Sequence, residues 1–227
     1  MNEILFVLSM LAVFTAIVLA ERFFGKGGLF AWAATVPIIA NILTAKQITL
    51  FGLDVTMGTI LFASVFLCTD ILSEKYSKKD AQKAVLLSAF FLCGYVITAQ
   101  VALLFVPNFL DFAHESMTNL FGASIRITIA SVVMFVVANL ADVWIYNAMK
   151  KKAEKHLWLR NNVATIVSNC LENFLFVILA FWGTMPAKDC VFVALGTSFV
   201  EVIVSVCDTP FLYWARRNKT KADFEVA

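Results

Sequence analysis

Glu172 and Glu201 draw attention first, because each is a carboxylate deep inside a long apolar run. On insertion scales an ionisable side chain at the centre of a membrane helix costs ~2.5–3.5 kcal/mol, so such residues face a bundle interior or a water-filled cavity. Asn162, Thr165, Asn169 and Glu172 are spaced three, four and three apart, which places them on one helical face, and Asn173 follows directly. Glu172 lies about nine residues into its run, ~14 Å deep at 1.5 Å per residue, near the midplane. Ser198, Glu201, Ser205 and Asp208 repeat the same spacing in the next run. A third face carries Ser131, Asn139 and Asp142, and Asp70, Ser73 and Glu74 close a fourth run. Asn41 and Gln100 sit in two others, and Arg126 opens the run that contains Asp142. A carboxylate at mid-depth needs a proton or a partner; Arg126 and a bound ligand both fit that need. The polar set taken as candidate substrate contacts is therefore Glu172, Asn169, Asn173, Glu201, Asn41, Arg126, Asp142, Asp70, Glu74 and Asn162.

Other chemistry has no foothold. Neither His114 nor His156 lies in an apolar run, so an intramembrane hydrolase lacks its nucleophile–base pair. The chain has no P-loop, HExxH, GxSxG or CxxC pattern, and nothing that would hold a cofactor or a metal. Cys68, Cys93, Cys170, Cys190 and Cys207 share no ligand spacing and read as small apolar fillers. A polar interior without a catalytic pair favours passage of a small polar solute.

The elements that must position these residues follow from composition. Of 227 residues 61% are hydrophobic and 15% charged, and 22 are Phe. A soluble domain of this size cannot hide so much apolar surface, which also argues against a nucleic-acid binder or a water-soluble enzyme. The expected fold is an all-α polytopic membrane bundle forming one integral domain over residues 1–227. Seven runs have the length needed to cross a bilayer, at roughly 3–20, 29–45, 56–73, 84–106, 124–147, 163–183 and 189–214. The loop at 107–123, with Asp111, His114 and Glu115, reads as a short amphipathic segment on the outer surface.

Charge sets the orientation. Fifteen of the 18 basic residues follow the first, third, fifth and seventh runs, in groups that include Lys26, Lys75, Lys150, Arg160 and Arg216. With seven crossings all four groups share one side, which predicts an outer N-terminus and a cytoplasmic C-terminus in the plasma membrane. The first run is expected to stay uncleaved, because its positive charge (Arg22, Lys26) comes after the apolar stretch rather than before it.

Two segments carry a family resemblance. Thr69-Asp70-Ile71-Leu72-Ser73-Glu74-Lys75-Tyr76 is one, preceded by Ala40-Asn41-Ile42 and Lys46. Leu157-Trp158-Leu159-Arg160-Asn161-Asn162 is the other, followed by Thr165, Ser168 and Glu172. Together, over roughly residues 36–215, they resemble the queuosine precursor transporter family of vitamin-uptake-type membrane proteins. The resemblance implies import of 7-deazapurine bases such as aminomethyl and cyano deazaguanine. It also implies roles for Asn41, Lys46, Asp70, Glu74, Arg126, Asp142, Arg160 and Asn162. Glu172-Asn173, Asn169 and Glu201 depart from the family's usual Asp-Thr, Gln and basic residue.

A guanine-like edge offers an N–H and an amino group side by side, and a carboxylate accepts both as a pair. Glu172 is the candidate for that contact, and Glu201 for neutralising an aminomethyl group. The expected protein is a secondary or facilitated importer of a purine-like small molecule, not an enzyme. Proton coupling, a homo-oligomer and an energising partner are all compatible with it. The alternative is a substrate-capture subunit of a vitamin-type importer that depends on a separate ATPase.

Overall fold

Inside a bilayer every backbone N–H and C=O must be satisfied within the chain, so long apolar runs become helices. The computed structural model describes residues 1–122, 125–153, 155–183 and 186–218. In chain order they form α1 (Asn2–Leu43), β1 (Gln47–Leu50), β2 (Leu53–Thr56), α2 (Thr59–Lys75), α3 (Lys78–Leu103), α4 (His114–Phe121), α5 (Ile125–Lys152), α6 (Leu157–Phe181) and α7 (Ala187–Arg217). This is the expected all-α membrane bundle, with one small hairpin added.

Each of the seven predicted runs coincides with a helix or a helix limb. α1 takes two of them in 42 residues, and its limbs part at Gly25, where φ is 58° and ψ is −142°. That backbone conformation is essentially reserved for glycine. Five helices (α1, α3, α5, α6 and α7) are long and apolar enough to cross a membrane. α2 has 17 residues and spans only ~25 Å. It is nevertheless buried without a break from Ala63 to Ser73. A helix apolar and buried all round belongs inside other helices, and α1, α3, α5 and α7 pack around α2.

The bundle is inside-out relative to a water-soluble protein. Leu86, Phe90, Ile97, Trp144, Phe192 and Phe199 are exposed, whereas Asp70, Asn139, Asp142, Asn161, Ser168, Ser205 and Asp208 are buried. An exposed apolar belt of this kind suits acyl chains. The core around α2 includes Phe14, Ile17, Leu29, Leu67, Ile71, Leu72, Tyr146, Leu157 and Leu212. Phe14 meets Phe211 edge-on at 5.4 Å, which ties the first limb of α1 to α7. Short polar links pin the helices together: Ser88 Oγ donates to the Ala33 carbonyl at 2.6 Å and Trp32 Nε1 to Ser64 Oγ at 3.0 Å. Such bonds contribute ~0.6 kcal/mol each on average in membranes. All five cysteines are free thiols.

The four basic groups do gather at one end. Lys26 pairs with Asp80 (3.2 Å), Lys75 with Glu21 (2.6 Å), and Lys150, Arg160 and Arg216 all with Glu74. At the opposite end β1 and β2 form an antiparallel hairpin with Leu50 facing Leu53. Its two-residue turn, Phe51 and Gly52, has φ of 51° and 80°, the paired positive values of a tight hairpin turn. α4 falls where the amphipathic segment is predicted.

Candidate functional site

At the lysine-rich end, Glu74 closes α2 inside a cage of cations. Its Oε2 takes Arg160 Nη2 and lies 3.5 Å from Lys150 Nζ, while Oε1 is 3.3 Å from Arg216 Nε. Tyr146 donates its hydroxyl to Oε2 at 3.1 Å. Lys150 also donates to the Ser73 and Glu74 carbonyls at 2.7 and 3.1 Å, satisfying the open carbonyl end of α2 where positive charge is favoured. Glu74, Lys75, Lys150, Arg160 and Arg216 line a cleft of about 470 Å³. A neighbouring cleft of about 700 Å³, reaching Ser73, Tyr76, Trp144 and Asn147, shares Lys150 with it.

One turn deeper the surroundings change. Asp70 (α2), Asp142 (α5) and Asp208 (α7) are all buried. Asp70 lies against Asp142 and within electrostatic reach of Asp208. Thr165 donates to Asp142 Oδ1 at 3.3 Å and Asn161 to Asp208 Oδ1 at 2.7 Å. Neither oxygen of Asp70 has a hydrogen-bond partner, nor does Asp142 Oδ2. Among the described residues, no basic side chain pairs with any of the three. Asn162 stays at the edge of this layer, donating to Thr209 Oγ1 at 2.9 Å and to the Trp158 carbonyl at 2.8 Å.

At mid-depth, α6 and α7 bring a second acidic group together. Asn173 Nδ2 donates to Glu201 Oε2 at 2.6 Å and to Ser198 Oγ at 3.1 Å. Glu172 lies near enough to Glu201 to feel its charge. Both glutamates are half-buried, whereas Asn173 and Asn169 are buried, and the Asn169 Oδ1 is unbonded.

Two predicted residues join neither group. Arg126 is exposed and donates to the Leu179 and Trp182 carbonyls at 2.7 and 2.9 Å, closing the end of α6 rather than pairing with Glu172 or Glu201. Asn41 borders a small hollow of about 40 Å³ with Tyr95, Gln100, Phe121 and Thr128. Besides the cations and Tyr146 around Glu74, participants absent from the predicted contact set include Asp208, Asn161 and Glu21. Asp208 completes the polar face of the last run. Asn161 lies in the second family-like segment. Glu21 is fully buried and held by Lys75 and by the Tyr76 hydroxyl at 3.0 Å.

Ionisable and amide side chains are thus gathered inside the bundle and enclosed by an apolar belt. The model of a family described as "Putative vitamin uptake transporter" matches residues 56–215, from the end of β2 into the last turns of α7. This chain belongs to the vitamin uptake transporter family. Relatives agree along most of its length. A Bacillus subtilis protein named "Probable queuosine precursor transporter" is 32% identical over 206 residues, 90% of both chains. An Escherichia coli protein named "Queuosine precursor transporter" is 25% identical over 173 residues, 74% of this chain and 75% of its own. No solved structure matches it. As a vitamin uptake transporter family member the chain is a multi-pass membrane transporter and not an enzyme. The transporter's matched segment contains both acidic layers and the Glu74 cage apart from Arg216, and excludes α1.

Proposed function

We propose that this protein imports a queuosine precursor, a 7-deazapurine base such as aminomethyl or cyano deazaguanine, across the plasma membrane of a prokaryote. The lysine-rich end faces the cytoplasm, which leaves the N-terminus outside after seven crossings: two limbs of α1, then α2, α3, α5, α6 and α7. The names of the relatives support the cargo, and the gathering of basic groups at one end supports the orientation. Asp70, Asp142 and Glu74 lie nearer the cytoplasmic end than the base and are not assigned to it.

The observation that carries the reading of the cargo is the division of labour at mid-depth. Asn173 already occupies Glu201, whereas among the described residues Glu172 has no hydrogen-bond or ion-pair partner. Glu172 is therefore the carboxylate available for the adjacent N–H and amino groups of a guanine-like edge, a paired and charge-assisted contact. Glu201, held in place by Asn173, balances the positive aminomethyl group where the cargo carries one. Asn169 supplies a buried acceptor beside them.

The test is uptake in a host unable to make the precursor, with each base supplied in turn and modified tRNA as the readout. Glu172→Gln should reduce uptake by about 1.5–3 kcal/mol of lost charged hydrogen bonding, roughly tenfold or more, with membrane abundance unchanged. Uptake at the wild-type rate by that variant removes Glu172 from the site. Uptake by this chain alone in a host without vitamin-importer ATPases excludes the capture-subunit reading.

A further inference from the structure

The layer of Asp70, Asp142 and Asp208 is used neither by the Glu74 cage nor by base recognition. Three carboxyls that share one water-poor layer cannot all carry charge unless something positive joins them. Among the described residues, no basic side chain pairs with any of them. Arg160, Lys150 and Arg216 are spent on Glu74, and Lys75 is spent on Glu21.

A second observation is independent of the carboxyls. Ser168 Oγ, Ser205 Oγ and Asn139 Oδ1 are buried without a hydrogen-bond partner. Asn139 sits three residues before Asp142, Ser205 three before Asp208, and Ser168 three after Thr165, which bonds Asp142. Helical spacing therefore places unused donors and acceptors on the same helical faces, one turn deeper than the aspartates. Leaving such groups unmet costs about 1–3 kcal/mol each, so the layer is suited to an occupant with hydrogen-bonding capacity. Among the described residues, no group of His, Cys, Asp and Glu is arranged to hold a metal ion.

We propose that Asp70, Asp142 and Asp208 form a proton-binding site through which inward proton movement is coupled to uptake. The groups facing it are few. α2 adds Cys68 and Glu74 beside Asp70, α5 adds Tyr146, and α7 adds Cys207 next to Asp208. α6 contributes the neutral Asn161 and Thr165, its Arg160 being on Glu74. From α1, Glu21 is taken by Lys75 and Tyr76. The charged groups of α3 (Lys78, Lys79, Asp80 and Lys83) all lie in its first two turns. A proton arriving from outside binds a carboxylate oxygen of the layer, is shared through an O–H···O⁻ bond, and leaves to the cytoplasm as an equal positive charge. No covalent bond to carbon changes. The direction of transport, and only that, rests on the cargo reading above.

Two measurements test it. Dicyclohexylcarbodiimide attacks protonated carboxyls in apolar surroundings. Applied to the purified full chain between about pH 5 and about pH 9, it should modify at least one of the three aspartates, with peptide-mapped yield falling as pH rises. Absence of adduct on all three across that range overturns the site, whatever the cargo is. In proteoliposomes, a gradient of one pH unit, acid outside, should drive about tenfold accumulation of the labelled base if one proton accompanies each molecule. Asp142→Asn and Asp208→Asn should bring that stimulation to about onefold, while Glu115→Gln, on the exposed helix α4, keeps it in full. Accumulation driven by a sodium gradient instead, or full proton stimulation in both aspartate variants, overturns the proposal. So does loss of all base uptake, with and without a gradient, in either variant, because that places the aspartate in the base site. If wild-type protein moves no deazapurine at all, the cargo reading fails while the carbodiimide result still decides the proton site.

Discussion

Asp70 and Glu74 are one helical turn apart on α2, and their surroundings are opposite. Glu74 holds Arg160, Lys150 and Arg216 and accepts the Tyr146 hydroxyl. Asp70, ~6 Å deeper, has another carboxyl against it and no cation. The difference follows from reach. Long basic side chains extend from the membrane boundary while keeping their charged heads near water, so they compensate a carboxylate at the helix end and fail to reach one a turn further in. Acid at the boundary is therefore held by fixed charge and serves the fold. Acid one turn deeper has no fixed partner, which is what the proposed proton site requires.

The sharpest way to break that comparison is to neutralise the caged carboxylate. Glu74→Gln takes the Glu74 carboxylate from Arg160, which is 1% exposed. Losing one partner of a buried pair typically costs about 3–5 kcal/mol, so the variant should show a markedly lower thermal midpoint in detergent micelles than wild type. An unchanged midpoint would mean that the cage contributes nothing to the fold. Asp70→Asn is the counterpart, with a smaller effect of opposite sign. It keeps the shape and removes an unbalanced charge, so the midpoint should hold or rise, by up to about 1 kcal/mol of stability. A fall as deep as that of Glu74→Gln would show that Asp70 is balanced in the folded protein, and the contrast would disappear.

Much of this was legible in the sequence, and the gaps have physical causes. Apolar runs and basic groups fixed the helices and the shared charged end, because membrane burial and water-side charge are one-dimensional signals. Facial detail was less secure. The spacing 162–165–169–172 centres α6 on Asn162 and Glu172, but the buried face runs through Asn161, Thr165, Ser168, Asn169 and Asn173. That is about a residue of rotation, which spacing alone cannot distinguish once α6 is wedged between α5 and α7. Arg126 was expected near a mid-depth carboxylate, yet closing the end of α6 satisfies it without burial. Glu21 has no local signal of its role, because its partners Lys75 and Tyr76 are more than fifty residues away. The β1–β2 hairpin was missed because Phe-Gly is not among the strong turn pairs and each strand has only four residues.

The finest version of the comparison lies within the charged end itself. Lys26 and Asp80 pair at 3.2 Å, yet the Lys26 side chain is 45% exposed, against 2% for Arg160 beside Glu74. Water and salt screen such a pair, and holding a long side chain in one geometry costs entropy, which leaves about 0–1 kcal/mol. Asp80 has other support, since it accepts from Ser77 Oγ at 2.7 Å while its own N–H donates back to that oxygen at 3.1 Å. Lys26→Ala should therefore shift the thermal midpoint by less than either α2 variant, and raising the salt concentration should shrink the shift further. Ser77→Ala removes the cap and should cost more, about 1 kcal/mol. If Lys26→Ala instead matched Glu74→Gln, proximity of opposite charges would matter more than burial at this end, and the distinction between Glu74 and Asp70 could no longer be drawn from reach alone.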